Sequence, residues 1–202
     1  MDKDRLKKQI DFLVEIDKIK NIFRNNYLAD GSRKENDAEH SWHLGMSVLM
    51  LAEHFEGIDL LKTVKMVLIH DLVEIIAGDV YCYDEKGNEG KFEREKAAAV
   101  QLFSILPRDQ GDELYDLWIE FEESKTPEAT CAAVVDRLQP LLLNYHSEGK
   151  SWLEHNISSE KVRNRNRLVF DRCSAEISDF VAGMIDKAVE KGYLTEQENA
   201  SK

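Results

Sequence analysis

The sequence has few of the residues that interrupt helices, and it lacks the features of several other protein classes. Only 3 prolines and 10 glycines occur in 202 residues, which disfavours the frequent turns of an all-β protein. No apolar run approaches the roughly 20 residues needed to cross a bilayer, so we expect no membrane span. The cysteines Cys82, Cys131 and Cys173 are odd in number and widely spaced. They predict neither a disulfide framework nor a thiolate zinc site, and they favour the reducing cytoplasm.

Positive charge is also scarce. Lys and Arg total 27 against 39 Asp and Glu, which makes the formal net charge -12. Such a chain repels a nucleic-acid polymer or an anionic membrane surface. A small anionic ligand can still bind where a basic cluster or a bound cation reverses the potential in one pocket. The opening stretch MDKDRLKKQIDFLVEI mixes charges with apolar positions at helical spacing, so it predicts a first helix rather than a secretory signal.

Apolar residues recur at three- and four-residue intervals almost throughout, which predicts an all-α fold without a convincing strand. Length favours a single domain over residues 1–202, with a core from about 6 to 193 and a short polar tail. The expected helices cover about 4–24, 38–56, 59–77, 91–105, 108–124, 127–147, 159–171 and 174–191.

Local signals refine this outline. Asn36 and Asp37 are candidate caps of the second helix, with Glu39 in its first turn. The acidic run EFEES after Trp118 and the basic run KVRNRNR at 161–167 are interpreted as solvated helix faces. The three tryptophans are expected in the core or at its edge; they are Trp42, Trp118 and Trp152.

The stretch IHDLVEIIAGD, from Ile69 to Asp79, carries too many charges for an apolar stripe. On a continuous helix His70 and Glu74 would share a face, while Asp71 would point about 100° away from His70. Asp79 would face the opposite side unless Gly78 ends the helix and lets the chain turn back. An isolated His-Asp pair is more often a hydrogen-bonded core histidine beside an exposed acid.

Two further residues favour a metal site. His40 begins the preceding apolar helix, and Asp136 lies inside AAVVDRLQPLLLNY. A carboxylate within such a stripe must be neutralised, paired or bound to a metal, and Arg137 is a poor partner because adjacent helical residues do not face each other. Two imidazoles and two carboxylates suit one divalent transition ion, Mn, Co, Zn, Fe or Ni, with Mg as a further candidate. His43 is a rival ligand.

The order His, His-Asp and distant Asp resembles the HD-domain metal-dependent phosphohydrolases. RKENDAEHSW, KMVLIHDLVEIIAGD and VVDRLQPLLLNY are similar to motifs of the branch that contains the bacterial 5'-deoxynucleotidases and their eukaryotic relatives. The resemblance runs from about Leu6 to Tyr193. It implies an HD-domain helical bundle, a divalent-metal-dependent phosphatase, a small phosphorylated substrate such as a (deoxy)nucleoside 5'-monophosphate, and commonly a homodimer.

The resemblance also implies roles for individual residues. Glu74 matches the catalytic acid that orients or activates water, Asp79 the carboxylate that holds the sugar hydroxyl, and Arg24 the phosphate-binding arginine. Asn25 departs from the aromatic residue that follows this arginine in bacterial members. The four metal ligands would be His40, His70, Asp71 and Asp136. Further cations that could stabilise the phosphoryl oxygens are Arg33, Lys34, Lys91 and Arg94.

Other readings stay open at this point. HD-domain proteins also include phosphodiesterases and nucleoside polyphosphate hydrolases, although the lack of a second histidine cluster favours one metal and monoester hydrolysis. A non-catalytic helical binding protein would keep the fold without retaining metal. The late apolar stripe could form a dimer interface, although such a stripe is more often core; it comprises Ile177, Phe180, Val181, Met184, Ile185 and Val189.

Overall fold

A computed structural model describes residues 3–196, with Lys3 described by its backbone alone. Helices dominate, so the all-α prediction is confirmed. The helices are α1 (Lys3–Ile16), α2 (Asp37–Leu51), α3 (Leu60–Ile69), α4 (Glu74–Ala77), α5 (Glu85–Asn88), α6 (Lys91–Phe103), α7 (Arg108–Glu123), α8 (Pro127–His146), α9 (Lys150–Glu154), α10 (Ser159–Arg165), α11 (Arg167–Arg172) and α12 (Ala175–Glu190). Short 3-10 helices cover Asp17–Asn21, Ala52–His54 and His70–Val73.

A small hairpin corrects the prediction that the first helix reaches residue 24 and that strands are absent. After α1 and a 3-10 turn, the chain forms β1 (Phe23–Tyr27), which pairs antiparallel with β2 (Lys34–Asn36). Asp30-Gly31 lies in the connecting turn, where Gly31 has φ 69°, a left-handed conformation that glycine adopts readily. The hairpin places Arg24 on a strand that contacts α8.

The cap of α2 agrees with its sequence signal. The Asn36 side chain accepts a hydrogen bond from the Glu39 backbone N–H, and the Glu39 side chain accepts one from the Asn36 N–H. This reciprocal capping box satisfies two backbone donors at the helix start. Asp37 is the first helical residue and not the cap. The box holds the N-terminus of α2, and therefore His40, at the end of β2.

Two clusters of apolar side chains form the interior, and α8 contributes to both. Ala132 and Val135 belong to the cluster with α2, α3, α6 and α7, whereas Leu138 and Leu141 belong to the cluster with α10 and α12. The N-terminus of α8 is stabilised because the Thr126 side chain caps it and Pro127 occupies its first turn. Burial on both sides makes α8 the element around which the site is assembled; a single domain over residues 1–202 stays a prediction.

Several local predictions were wrong. Trp118 and Trp152 are buried, but Trp42 is 66% exposed because it lies on the outward face of α2. The helix predicted at 159–171 breaks at Asn166, whose side chain donates to the Val162 carbonyl at 2.8 Å. The helix predicted at 59–77 is interrupted by the 3-10 turn at His70–Val73.

The late apolar stripe packs largely in the core, since Ile177, Val181, Met184 and Ile185 are buried. The polar tail expected after residue 193 begins later, because Leu194 is 4% exposed and Thr195 pairs with Ser158. Residues 197–202, the rest of that predicted tail, lie outside the described residues. Within residues 3–196 no helix combines the length and apolar character that a transmembrane span requires.

Candidate metal centre

Four side chains from three separate segments converge at the centre of the molecule. His40 comes from the first turn of α2, His70 and Asp71 from the 3-10 turn, and Asp136 from the middle of α8. The His40 Nε2 atom lies 3.2 Å from Asp136 Oδ1 and 3.7 Å from Asp71 Oδ2. The His70 Nε2 atom lies 3.1 Å from Asp71 Oδ2 and 3.7 Å from Asp136 Oδ1. All four predicted ligands therefore meet around one point.

The 3-10 turn brings two sequence neighbours to the same point. The Trp118 indole N–H donates to the His70 carbonyl at 3.2 Å, so a buried side chain of α7 takes the carbonyl that a continuous helix would use. A 3-10 stretch in the middle of a helix often marks a hinge or a strained sequence. The predicted 100° separation of His70 and Asp71 does not prevent their ligand atoms from approaching each other.

Hydrogen bonds orient both imidazoles for metal binding. His70 Nδ1 lies 2.9 Å from the Val67 carbonyl, and His40 Nδ1 lies 3.0 Å from Gln139 Oε1. Both oxygens only accept, so each Nδ1 carries the proton, and a neutral ring presents the lone pair of Nε2. The buried His70 Nε2 has no well-aligned hydrogen-bond partner. This donor set fits a divalent cation.

The electrostatics of the same groups also require a positive charge at this point. Burial lowers the pKa of His70, but the Asp71 and Asp136 carboxylates outweigh it and raise that pKa to about 10. Burial raises the pKa of Asp136, but the neighbouring imidazoles of His40 and His70 hold it well below its usual range. Two buried carboxylates are thus stabilised by protons on the imidazoles, and a divalent ion can replace those protons.

The sequence did not identify the residues that support His40. Gln139, which is 1% exposed, accepts from His40 and donates through Nε2 to Glu35 Oε1 at 2.6 Å. Glu35 Oε2 lies 4.0 Å from Arg24 Nε. The available signal was a polar Gln139 one turn after Asp136 within an apolar stripe. Glu35 therefore accepts a hydrogen bond from Gln139, which orients His40, and its other oxygen lies near the Arg24 guanidinium.

A second group of charged side chains borders the metal centre. Arg24 Nη1 lies 2.7 Å from Asp71 Oδ2 and 3.2 Å from Asp37 Oδ1, while its buried Nε has no hydrogen-bond partner. Burial raises the pKa of Glu74 well above its usual range, and Asp71 and Asp37 raise it further. The fully buried Asp37 was not predicted as a site residue, although it lies in the RKENDAEHSW motif.

Gly78 and Asp79 behave as the sequence predicted. Gly78 ends α4 with φ 78°, so the chain turns and Asp79 lines the same cavity as Glu74. Burial raises the pKa of Asp79, Arg24 lowers it, and the balance is a raised value. The turn thus brings a second carboxyl group towards the site.

The metal centre opens into a cavity of about 370 Å³, which lies in the usual range for small-molecule sites. Its lining includes His70, Asp71 and Asp136 at one end. The rest of the wall is formed by carboxamides, aromatic rings and cations, including Asn25, Asn26, Tyr81, Tyr83, Asn88, Lys91, Phe92, Arg137, Asn144, Trp152, Arg165 and Asn166. Such a lining can bind a polar, anionic small molecule.

Two further cations line the cavity: Lys91, a candidate for the phosphoryl oxygens, and Arg165, which was expected on a solvated helix face. Lys91 Nζ is 3.2 Å from Glu95 Oε1 and 3.8 Å from Glu74 Oε1. Arg165 Nη2 is 3.4 Å from Asp136 Oδ2, so the prediction that the whole run at 161–167 is a solvated face was wrong. Only the packing of α10 against the rest of the fold reveals this position.

Other candidates lie away from the cavity. Arg33 forms a two-pronged ion pair with Glu39, at 2.8 and 2.5 Å, on the surface and is not part of the cavity lining, so its assignment to the substrate stays a prediction. Lys34 donates to the Asn25 side chain, and Arg94 donates to the backbone carbonyls of Gly87 and Glu89. His43 Nδ1 lies 3.2 Å from Gln139 Nε2 and is not among the converging ligand atoms.

Comparisons with known proteins agree with this geometry. A family model described as HD domain matches residues 16–178. A 5'-deoxynucleotidase HDDC2 of Dictyostelium discoideum is 30% identical over 146 residues, which is 69% of this chain and 77% of that protein. The 5'-deoxynucleotidase HDDC2 of Bos taurus is 31% identical over 134 residues, or 66% of this chain and 64% of its own length.

A solved structure is also similar to this chain over nearly its whole length. The crystal structure of a predicted metal-dependent phosphohydrolase from Magnetospirillum magnetotacticum MS-1 matches with a TM-score of 0.86 and 42% identity, and the match covers 95% of this chain and 99% of that one. The family match spans most of the sequence and includes every predicted metal ligand. The chain belongs to the HD-domain family.

Proposed function

We propose that this protein is a divalent-metal-dependent phosphatase that removes phosphate from a small phosphomonoester, with (deoxy)nucleoside 5'-monophosphates as the substrate class. The observation that carries the proposal is the convergence of two imidazole nitrogens and two carboxylates beside a cavity lined by Glu74 and Arg24. The names of the similar proteins, 5'-deoxynucleotidases and a metal-dependent phosphohydrolase, support the same activity.

In this proposal His40, His70, Asp71 and Asp136 hold one divalent ion. A mixed nitrogen and oxygen set suits Mn, Co, Zn, Fe or Ni, and Mg is a further candidate. When bound, the ion supplies Lewis acidity towards water and a phosphoryl oxygen. The chain supplies the remaining functions: proton transfer, substrate orientation and stabilisation of charge.

Glu74 is proposed as the general base. Its carboxyl group is buried beside Asp71 and faces Lys91 at 3.8 Å, so it can take a proton from the water that attacks phosphorus. As the new O–P bond forms, the bond from phosphorus to the ester oxygen breaks, and Glu74 is the proton source for the departing oxygen. Burial keeps the carboxyl pKa high, which suits a group that must both accept and return a proton.

Arg24 and Asp79 are proposed to bind the substrate. The buried Arg24 Nε has no hydrogen-bond partner, so it can donate to a phosphoryl oxygen while Nη1 stays on Asp71. Asp79 is proposed to accept a hydrogen bond from the sugar hydroxyl. The carboxamide of Asn25, where bacterial relatives have an aromatic residue, points to a different contact with the sugar or base.

The proposal is tested by separating metal binding from turnover. Glu74→Gln keeps the size of the side chain but removes the base, so we expect normal metal content and a rate reduced by about 10²- to 10⁴-fold. Asp71→Asn should lose both metal and activity. The exposed Glu93, on α6, provides a matched control in Glu93→Gln. Normal phosphomonoester hydrolysis by Glu74→Gln would contradict the mechanism.

We also propose a homodimer formed through the outer face of α2. Trp42, Met46, Leu49 and Met50 lie on one side of this helix and remain 39–66% exposed, an apolar patch typical of an interface. An isologous dimer buries the same patch on both subunits, so Trp42→Glu should convert the dimer to a monomer. Light scattering measures this change. A monomeric native protein would refute the interface.

The unpaired Cys82, Cys131 and Cys173 support the proposal of a reducing, cytoplasmic location.

A further inference from the structure

One cation at the cavity has no acidic partner within the described residues. Arg137 follows Asp136 on α8 and lines the cavity. Its Nη1 donates to the Ala133 carbonyl at 2.6 Å, and its buried Nε has no hydrogen-bond partner. No described carboxylate lies within ion-pair distance of its guanidinium. A buried N–H group without an acceptor is costly, so the contacts within the described residues do not fully satisfy the half-buried Arg137 side chain.

The other cavity cations differ in this respect. Arg24 contacts Asp71 and Asp37, and Lys91 contacts Glu95 and Glu74. Their charges are therefore balanced by groups of the catalytic centre. Arg137 also lines the cavity, but it forms no ion pair of this kind within the described residues.

A second arginine approaches the same wall from another helix. Arg165, at the end of α10, lines the cavity and touches Asp136 Oδ2 at 3.4 Å, while its side chain stays 38% exposed. Arg137 and Arg165 therefore line the same cavity, one from α8 and the other from α10. Two guanidinium groups that line one cavity can bind an anion together.

We propose that Arg137 and Arg165 form a second anion-binding subsite, so that the substrate carries an acidic group, phosphate or carboxylate, in addition to the phosphate that is cleaved. This inference rests on the proposed phosphatase function. Guanidinium groups bind phosphate and carboxylate through paired, charge-assisted hydrogen bonds. A neutral nucleobase or sugar would leave Arg137 without a counter-ion, whereas an acidic group offsets its charge.

Matched substrates isolate this contact. 2'-Deoxyadenosine 5'-monophosphate is compared with 2'-deoxyadenosine 3',5'-bisphosphate, and glycerol 3-phosphate with 3-phosphoglycerate, so that phosphate and carboxylate are tested separately. We expect the Mn-loaded enzyme to favour the doubly acidic member of at least one pair by about tenfold or more in kcat/KM. Arg137→Met should reduce this preference ratio by about tenfold, and so should Arg165→Met. Because the Arg165 side chain is partly exposed, its replacement should leave the fold intact.

Arg163→Met is the matched control. Arg163 lies on the same helix as Arg165 but pairs with Asp186 on the outer surface, so its replacement should leave the preference ratio at the wild-type value. Metal content and thermal midpoint are measured for each variant. A wild-type enzyme without preference in either pair would overturn the subsite, and so would variants that slow both members of a pair equally.

A binding experiment separates this inference from the proposed function. Calorimetric titration of Mn-loaded Glu74→Gln with each of the four compounds measures affinity without turnover. Tighter binding of a doubly acidic compound, abolished by Arg137→Met, would support the subsite. This holds even if the wild-type enzyme hydrolyses none of the compounds, because the absence of hydrolysis would refute only the phosphatase proposal. Hydrolysis of all four compounds with equal affinities would refute only the subsite.

Discussion

Replacing Gln139 by leucine tests whether the outer hydrogen bonds control the metal centre. Leucine has a similar volume, but it removes the acceptor of His40 Nδ1–H and the donor to Glu35 Oε1. Both partners are buried, at 0% and 2% exposure, so water cannot replace the lost contacts. The substitution leaves the metal ligands themselves unchanged.

The structure allows the size of the effect to be worked out. The bond to the Glu35 carboxylate is charge-assisted, which contributes about 1.5–3 kcal/mol, and the bond from His40 is a neutral one of about 1 kcal/mol. We therefore expect the metal-free protein to lose about 3 kcal/mol in free energy of unfolding. Loss of the group that fixes the His40 tautomer should also weaken metal binding by about 10- to 100-fold.

Two measurements check this prediction. Urea denaturation in the presence of a chelator gives the free energy of unfolding, and competition against a chromogenic chelator gives the metal affinity. Gln110→Leu is the control, because Gln110 accepts a hydrogen bond from Gln9 near the surface and its loss should change stability by less than about 0.5 kcal/mol. Wild-type metal affinity in Gln139→Leu would refute the idea that Gln139 orients His40.

Three further predictions concern metal, pH and packing. Mn²⁺ at about 100 times its dissociation constant should stabilise the native protein by about 2.7 kcal/mol relative to chelator, and His70→Ala should abolish this gain in thermal denaturation. Burial, with a contribution from Glu95, raises the pKa of Glu122 to about 7 from 4.5. Because the folded state holds this proton more tightly, the stability of the wild type should fall relative to that of Glu122→Gln as the pH rises from 4.5 to 7. Parallel curves of stability against pH would contradict this prediction. A Cβ at Gly111 would lie 2.5 Å from the Phe103 carbonyl oxygen, whereas one at Gly183 meets nothing within 4 Å. Gly111→Ala should therefore lose about 1–3 kcal/mol in free energy of unfolding, and Gly183→Ala should gain up to about 1 kcal/mol. Equal effects of the two substitutions in chemical denaturation would refute this difference.

The convergence of the candidate ligands could be predicted because their chemistry conflicts with their sequence surroundings. Asp136 lies within an apolar stripe of α8, and His70 and Asp71 lie within another. A buried carboxylate without a counter-ion is unfavourable in any fold, so the conflict points to a metal site before the tertiary structure is known. Gly78 was informative for a related reason, since its left-handed conformation turns the chain at the point where Asp79 must face the cavity.

The missed features depend on contacts between segments distant in sequence. The 3-10 turn at His70 is stabilised by the indole of Trp118, and a pattern within residues 59–77 carries no information about that bond. Arg165 is part of a basic run that resembles a solvated face, and only the packing of α10 turns it towards Asp136. The hairpin is different, because Asp30-Gly31 was a local turn signal that the helical spacing around Phe23 obscured.

The charge distribution explains why an acidic protein can handle an anionic substrate. Asp37, Asp71, Glu74, Asp79 and Asp136 surround the site, and each has a pKa shifted by burial and by its neighbours. The carboxylates of Asp71 and Asp136, whose pKa values are lowered, suit a divalent cation. Ion pairs with acids of this group also hold Arg24 and Lys91 in place. Arg137 lies outside this balanced group. In the proposed site the acids therefore bind metal and position cations, and the proposed subsite at Arg137 takes a ligand group that brings its own negative charge.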